Sequence, residues 1–167
     1  RMPVRFAHLT DTHLGTGAAY PQPAEIGTGE RLSRAFQEIA AAHPGLEAFV
    51  VTGDLTDRGL PEEFSAFVAA TATTELTVHA IPGNHDHLVP EPTDLVSRNG
   101  YAIHSGEPRH YESFLGPRWY SFDLPGLHVV ALDWFTHELG LDHETQDAWL
   151  RAGLEARDPE TPSLRLC

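Results

Sequence analysis

The sequence predicts an α/β fold that opens β-α-β-α-β on a parallel sheet. Three observations carry that reading. Short apolar runs stand at Val4–Leu9, Ala48–Thr52 and Leu76–Ile81. Stretches with helical apolar spacing separate them. Consecutive strands joined through a helix run parallel, because such a connection has to cross over the sheet.

The first run is short and partly β-branched and reads as a buried strand that stops at Thr10-Asp11-Thr12-His13. A Gly/Pro-rich loop follows from Gly15 to Gly29. Leu32, Ala35, Phe36, Ile39 and Ala40 then repeat at helical spacing, and Pro44-Gly45 ends that helix. The second strand, Ala48–Thr52, stops at Gly53-Asp54. Pro61 suits a first helical turn, Glu62 and Glu63 favour its dipole, and Phe64, Phe67 and Val68 supply a buried face. The third strand runs into Pro82-Gly83-Asn84-His85-Asp86-His87. Leu88 to Pro117 is broken by Pro and Gly and reads as irregular, with a helical hint at Tyr111–Leu115. Trp119–Asp123 and Leu127–Asp133 flank Pro125-Gly126 as a hairpin. Glu144–Ala156 is expected to be a helix with Ala148, Trp149, Leu150 and Leu154 on its buried side, and Ser163–Cys167 looks like the beginning of another strand.

One domain is expected from 167 residues, and 41% hydrophobic residues can build its core. The formal charge of −13 disfavours nucleic acid as a partner, since such binding depends on a basic patch. It leaves phosphate chemistry open, because a bound ion can bring positive charge locally. The single cysteine, Cys167, excludes a disulfide framework and a cysteine-based zinc site. No run is long enough for a membrane span, and no signal peptide stands at the N-terminus. That prefers the cytoplasm, although a removed leader would leave no trace. Opening on Arg1-Met2, the chain is expected to be trimmed.

All three polar clusters follow strands at their carboxyl ends, where open parallel sheets build sites. Asp11 and His13 alternate about Thr12 and can point the same way in an extended segment. Asp54 and Asn84 each follow a glycine, Gly53 and Gly83, that permits close backbone approach. Carboxylates, an imidazole and a side-chain carbonyl on three loops suit a borderline divalent ion such as Mn, Fe or Zn. Two such ions can clamp a phosphate and generate hydroxide at neutral pH. A nucleotide-binding βαβ reading is weaker, since no G-x-G-x-x-G or P-loop follows the first strand.

Asp11-Thr12-His13, Gly53-Asp54-Leu55-Thr56-Asp57 and Gly83-Asn84-His85-Asp86 resemble the first three motifs of the calcineurin-like metallophosphoesterases. "WYSFDLPGLHVVALD" is similar to the hairpin of that family and "ETQDAWLRAGLEA" to its Trp-Leu helix. The resemblance extends over essentially the whole chain and is greatest to the bacterial branch with cyclic-nucleotide phosphodiesterase-like members. It implies a β-sandwich flanked by helices, of which residues 1–167 would be the N-terminal portion. Asp11 and His13 would bind a first metal, Asp54 would bridge two, and Asn84 would bind the second. His85 would face the substrate and protonate the leaving alkoxide, with Asp86 orienting it as its catalytic partner. Asp57 would hold its loop rather than touch metal, and His87 and His137 are candidates for the substrate rim. The family completes its site with three further histidines, which this domain as given lacks.

The expected function is therefore hydrolysis of a phosphomonoester or phosphodiester through a dinuclear metal centre and metal-bound hydroxide. A nucleotide is among the candidate substrates, and the oligomeric state is open. The alternative is a non-catalytic scaffold or binding domain with an incomplete metal site.

Overall fold

The computed structural model of the chain describes residues 3–15, 28–87, 95–98, 101–104, 109–136, 142–157 and 160–167. Strand β1 (Phe6–Leu9) is followed by α1 (Thr28–Ala42), β2 (Ala48–Thr52), α2 (Pro61–Thr71) and β3 (Thr77–Ile81). β1 pairs parallel with β2, and β2 with β3, in the order β1-β2-β3. The β-α-β-α-β opening is thus present, with strand ends moved inward by one or two residues where the apolar run begins before the ladder does.

Strand alternation sorts the sheet into two faces. Ala7, Leu9, Phe49, Val51, Val78 and Ala80 pack with Leu32 and Phe36 of α1 and Phe64 and Phe67 of α2. Phe6 and Ala48 belong to a second cluster with Phe122, Leu124, Leu127 and Val129. Those last residues come from an antiparallel hairpin, β6 (Tyr120–Leu124) and β7 (Leu127–Ala131). β8 (Ser163–Leu166) adds to β7 in parallel, after the crossover helix α4 (His143–Glu155). The result is a sheet covered by α1 and α2 on one face and by a second sheet on the other, which is the expected sandwich.

The joint between the sheets is partly polar. His79 of β3 stacks on Phe122 of β6 with ring centroids 3.4 Å apart, and burial lowers its pKa from the ordinary value. The Ala80 carbonyl accepts two hydroxyls, from Tyr111 and Tyr120, each at 2.8 Å. Burial pushes the Tyr111 phenol well up and the Tyr120 phenol to about 12, so both stay donors.

Three expectations need correction. The segment after the third strand is not wholly irregular: it holds an antiparallel pair, β4 (Leu95–Arg98) and β5 (Tyr101–His104), and then helix α3 (Arg109–Leu115). In α4 the buried residue is Gln146, while Ala148 is exposed and Trp149, Leu150 and Leu154 are only half-buried. Val68 is also exposed at the edge of α2 rather than buried with Phe64 and Phe67.

Candidate metal centre

The first two polar loops run side by side as continuations of their strands. The Asp11 amide donates to the Gly53 carbonyl (3.2 Å), the His13 amide to Asp54 (2.9 Å) and the Leu14 amide to Leu55 (2.9 Å). The Thr12 hydroxyl donates to the Leu55 carbonyl (2.9 Å). The third loop is tied in by the Gly53 amide, which donates to the Ile81 carbonyl (2.8 Å). A Cβ on Gly83 would collide with the amide and carboxylate of Asp54, so glycine is needed there for contact rather than for φ.

Asp11, His13 and Asp54 all have left-handed backbone, at φ 55°, 40° and 51°. Such conformations cost about 1–3 kcal/mol each in non-glycine residues and persist where surrounding structure enforces them. Their side chains converge. His13 Nε2 lies 3.6 Å from Asp11 Oδ1 and 3.8 Å from Asp54 Oδ2. One donor atom from each of the three lies within 4.8 Å of the others. Asp11, Asp54 and Asn84 also share the wall of one groove of about 220 Å³. Two carboxylates, an imidazole and a neighbouring amide form the oxygen-and-nitrogen set that a borderline divalent cation takes. The residues present therefore fit a metal ion.

A second group reaches deeper. Donor atoms of His13, Asp57 and His85 also lie within 4.8 Å of one another, and the His13 and His85 rings meet edge-on at 4.7 Å. The Asp57 carboxylate is buried, and its oxygens accept no hydrogen bond among the described residues. Arg58 Nε approaches it at 3.8 Å. The main chain of Asp57 makes two contacts: its amide donates to the Leu14 carbonyl, and its carbonyl meets His85 Nδ1 at 2.7 Å.

That last contact corrects the role expected of Asp86. A carbonyl only accepts, so it places a proton on His85 Nδ1. Asp57 thereby orients His85. The Asp86 carboxylate is buried and turned into the second loop, where it accepts from the Leu55 amide (3.1 Å), the Thr56 amide (2.9 Å), the Thr56 hydroxyl (2.8 Å) and the Gly83 amide (2.8 Å). Burial pushes its carboxyl up to about 6, with these four donors pulling against the rise. His85 is held a second time, its amide donating to Asp54 Oδ1 at 3.0 Å.

His87 is also corrected. It is fully buried, not at a rim, with Nε2 3.5 Å from Asp133 Oδ1. His137 lies outside the described residues. Elsewhere His110 pairs with the Gly59 carbonyl (2.9 Å) and His128 with Asp123 (2.7 Å).

Sequence reasoning missed a further part of the groove's lining. Asp133 follows β7 and is fully buried. Arg118 donates to it at 2.7 Å and also to Glu112 and Asp142. Burial alone would raise the Asp133 carboxyl, but His87 and Arg118 hold it below its ordinary value. Gln146 of α4 accepts from the Asp133 amide (2.9 Å) and donates to the Asp133 carbonyl (3.1 Å) and the Thr136 hydroxyl (2.9 Å). This braced turn carries Trp134 and Phe135, which line the groove with Asp11, Asp54 and Asn84. The available signal was an aspartate at a strand's carboxyl end followed by two aromatics; spacing alone could not bring it to the first sheet.

The chain is 28% identical over 166 residues to a Rhodococcus erythropolis protein named probable cyclic nucleotide phosphodiesterase, covering 95% of this chain and 50% of that one. It is 28% identical over 86 residues to a 3',5'-cyclic-nucleotide phosphodiesterase of Nostoc, covering 52% of this chain and 32% of the other. The chain thus spans half or less of these curated relatives. The fold is similar to that of a purple acid phosphatase from yellow lupin seeds, with a TM-score of 0.61 and 15% identity over 97% of this chain and 29% of that one. The family model for calcineurin-like phosphoesterases matches residues 4–164, and the chain belongs to that family.

Proposed function

We propose that the full-length protein is a metal-dependent phosphodiesterase with a dinuclear centre, acting on a phosphate ester such as a cyclic nucleotide. The observation that carries this reading is the convergence of Asp11, His13 and Asp54, in left-handed backbone, at the carboxyl ends of β1 and β2. The family and the names of the two curated relatives support the reaction class. Residues 1–167 are read as one unit of this domain.

Asp11 and His13 would hold one divalent ion, Asp54 would be shared, and Asn84 would serve a second. Bound ions supply positive charge against the phosphoryl oxygens and a nucleophile from water at neutral pH. The chain's own part is orientation and proton transfer. Asp57 holds His85 through its carbonyl, so Nε2 is the ring nitrogen that delivers a proton to the leaving alkoxide. Asp86 keeps the third loop against the second, which sets the separation of Asn84 from Asp54.

The test is turnover of a chromogenic phosphodiester by the full-length protein, with and without added Mn. His85→Ala is expected to lower kcat by about 10²–10⁴-fold, the usual worth of a positioned general acid. Turnover that needs no metal, or that survives this substitution, overturns the assignment.

A further inference from the structure

Trp134 is 57% exposed, the most exposed large apolar side chain among the described residues. Exposure of one tryptophan is unremarkable where the backbone is loose. Here the backbone is braced. Its neighbour Asp133 is fixed by Arg118, by Gln146 and by the Phe135 amide, which donates to Asp133 Oδ1 at 2.9 Å. The Thr136 amide and hydroxyl both donate to the Asp133 carbonyl, at 3.3 and 3.0 Å. His87, three residues from Asn84, packs its ring edge-on against Phe135 at 5.8 Å and reaches Asp133. The wall that carries the indole is therefore tied to the loop that carries a candidate ligand. A flat, polarisable surface is held out toward solvent in a groove that Asp11, Asp54 and Asn84 also line.

We propose that Trp134 is a specificity residue that stacks on the base of a nucleotide while its phosphate lies at Asp11, Asp54 and Asn84. The inference rests on the phosphate-ester reading of the groove and deepens it. A substrate that fits has two unlike ends. One is anionic and suits the cation-binding wall; the other is planar and suits the indole face, on which any base can stack. Phosphate esters with purely aliphatic groups would leave Trp134 without a partner.

The test is a binding measurement that needs no turnover. Equilibrium dialysis of the full-length protein with Mn compares 5'-AMP with ribose 5-phosphate, which lacks only the base. The wild type is expected to bind 5'-AMP about tenfold or more tightly than the sugar phosphate, the order that base–aromatic stacking gives. Trp134→Ala abolishes that preference, and Trp134→Phe keeps most of it. Equal weakening of both ligands by Trp134→Ala, or no weakening of either, overturns the proposal. So does tighter binding of phosphotyrosine than of 5'-AMP, which would make the aromatic partner a protein side chain. The outcome is separable from the hydrolase reading. Base preference without hydrolysis refutes only the reaction, and hydrolysis without base preference refutes only the stacking.

Discussion

A histidine is only as useful as the atom that orients it. His85 is oriented by a main-chain oxygen, that of Asp57, and by its own amide on Asp54. The neighbouring Asp86 accepts four donors from two loops. Substitution separates the two. Asp86→Asn turns one acceptor into a donor facing donors in a buried place. A loss of about 1–3 kcal/mol in stability is expected, read as a lower midpoint in thermal or urea unfolding. An Asp86→Asn protein as stable as wild type would refute this role. The residue types of the site were legible in the sequence because each closes an apolar run. Their partners were not: nothing in the sequence marks the Asp57 carbonyl as the group that meets His85, or Asp11, His13 and Asp54 as left-handed positions.

At the scale of elements, legibility followed periodicity. β1, α1, β2, α2, β3 and the β6–β7 hairpin carry strong apolar patterns and stand where expected. β4 and β5 have four residues each, in a stretch broken by Pro and Gly, so the pattern had no length in which to declare itself. α4 failed differently. Its buried position is a glutamine, which apolar counting passes over, and its burial is explained by three hydrogen bonds to the 133–136 turn. Arg118 makes the matching connection from the turn before β6, joining α3 at Glu112, the Asp133 turn, and Asp142 at the start of α4. Removing one partner of a buried pair leaves the other charge uncompensated. Arg118→Met is therefore expected to cost about 3–5 kcal/mol in chemical denaturation. Loss below about 1 kcal/mol would mean that the pair is dispensable.

For the whole molecule, acid weakens the joint between the sheets. His79 has a folded pKa below its ordinary value, because burial disfavours the imidazolium. The unfolded chain then binds the proton more readily, so the His79 contribution is complete above pH 6.5 and is lost as pH falls through the lower folded value. Asp133 follows the same sign at lower pH, complete above its ordinary 3.8 and lost below it. Asp86 runs the other way: raised to about 6, it gives stability that declines as pH rises from 3.8 through that value. His79→Phe isolates the first effect. It keeps the stack on Phe122 and removes the titration, so unfolding free energy measured from pH 7.5 down to pH 5 should fall less than in wild type. Parallel curves for the two proteins would show that the seam does not sense acid.

The two tyrosine hydroxyls on Ala80 have a consequence for how this chain behaves in company. Among the described residues β3 ends the order of its sheet, and the Ile81 carbonyl turns inward to the Gly53 amide, so the Ala80 carbonyl faces outward from the sheet edge. An outward carbonyl on an edge strand invites a strand from another chain. Tyr111 and Tyr120 close that invitation together, and each covers for the loss of the other. Because the acceptor belongs to the main chain, no substitution at Ala80 itself deletes it. Self-association should therefore emerge in the double variant Tyr111→Phe/Tyr120→Phe and in neither single one. Light scattering against protein concentration would read it, and three equal profiles would refute it.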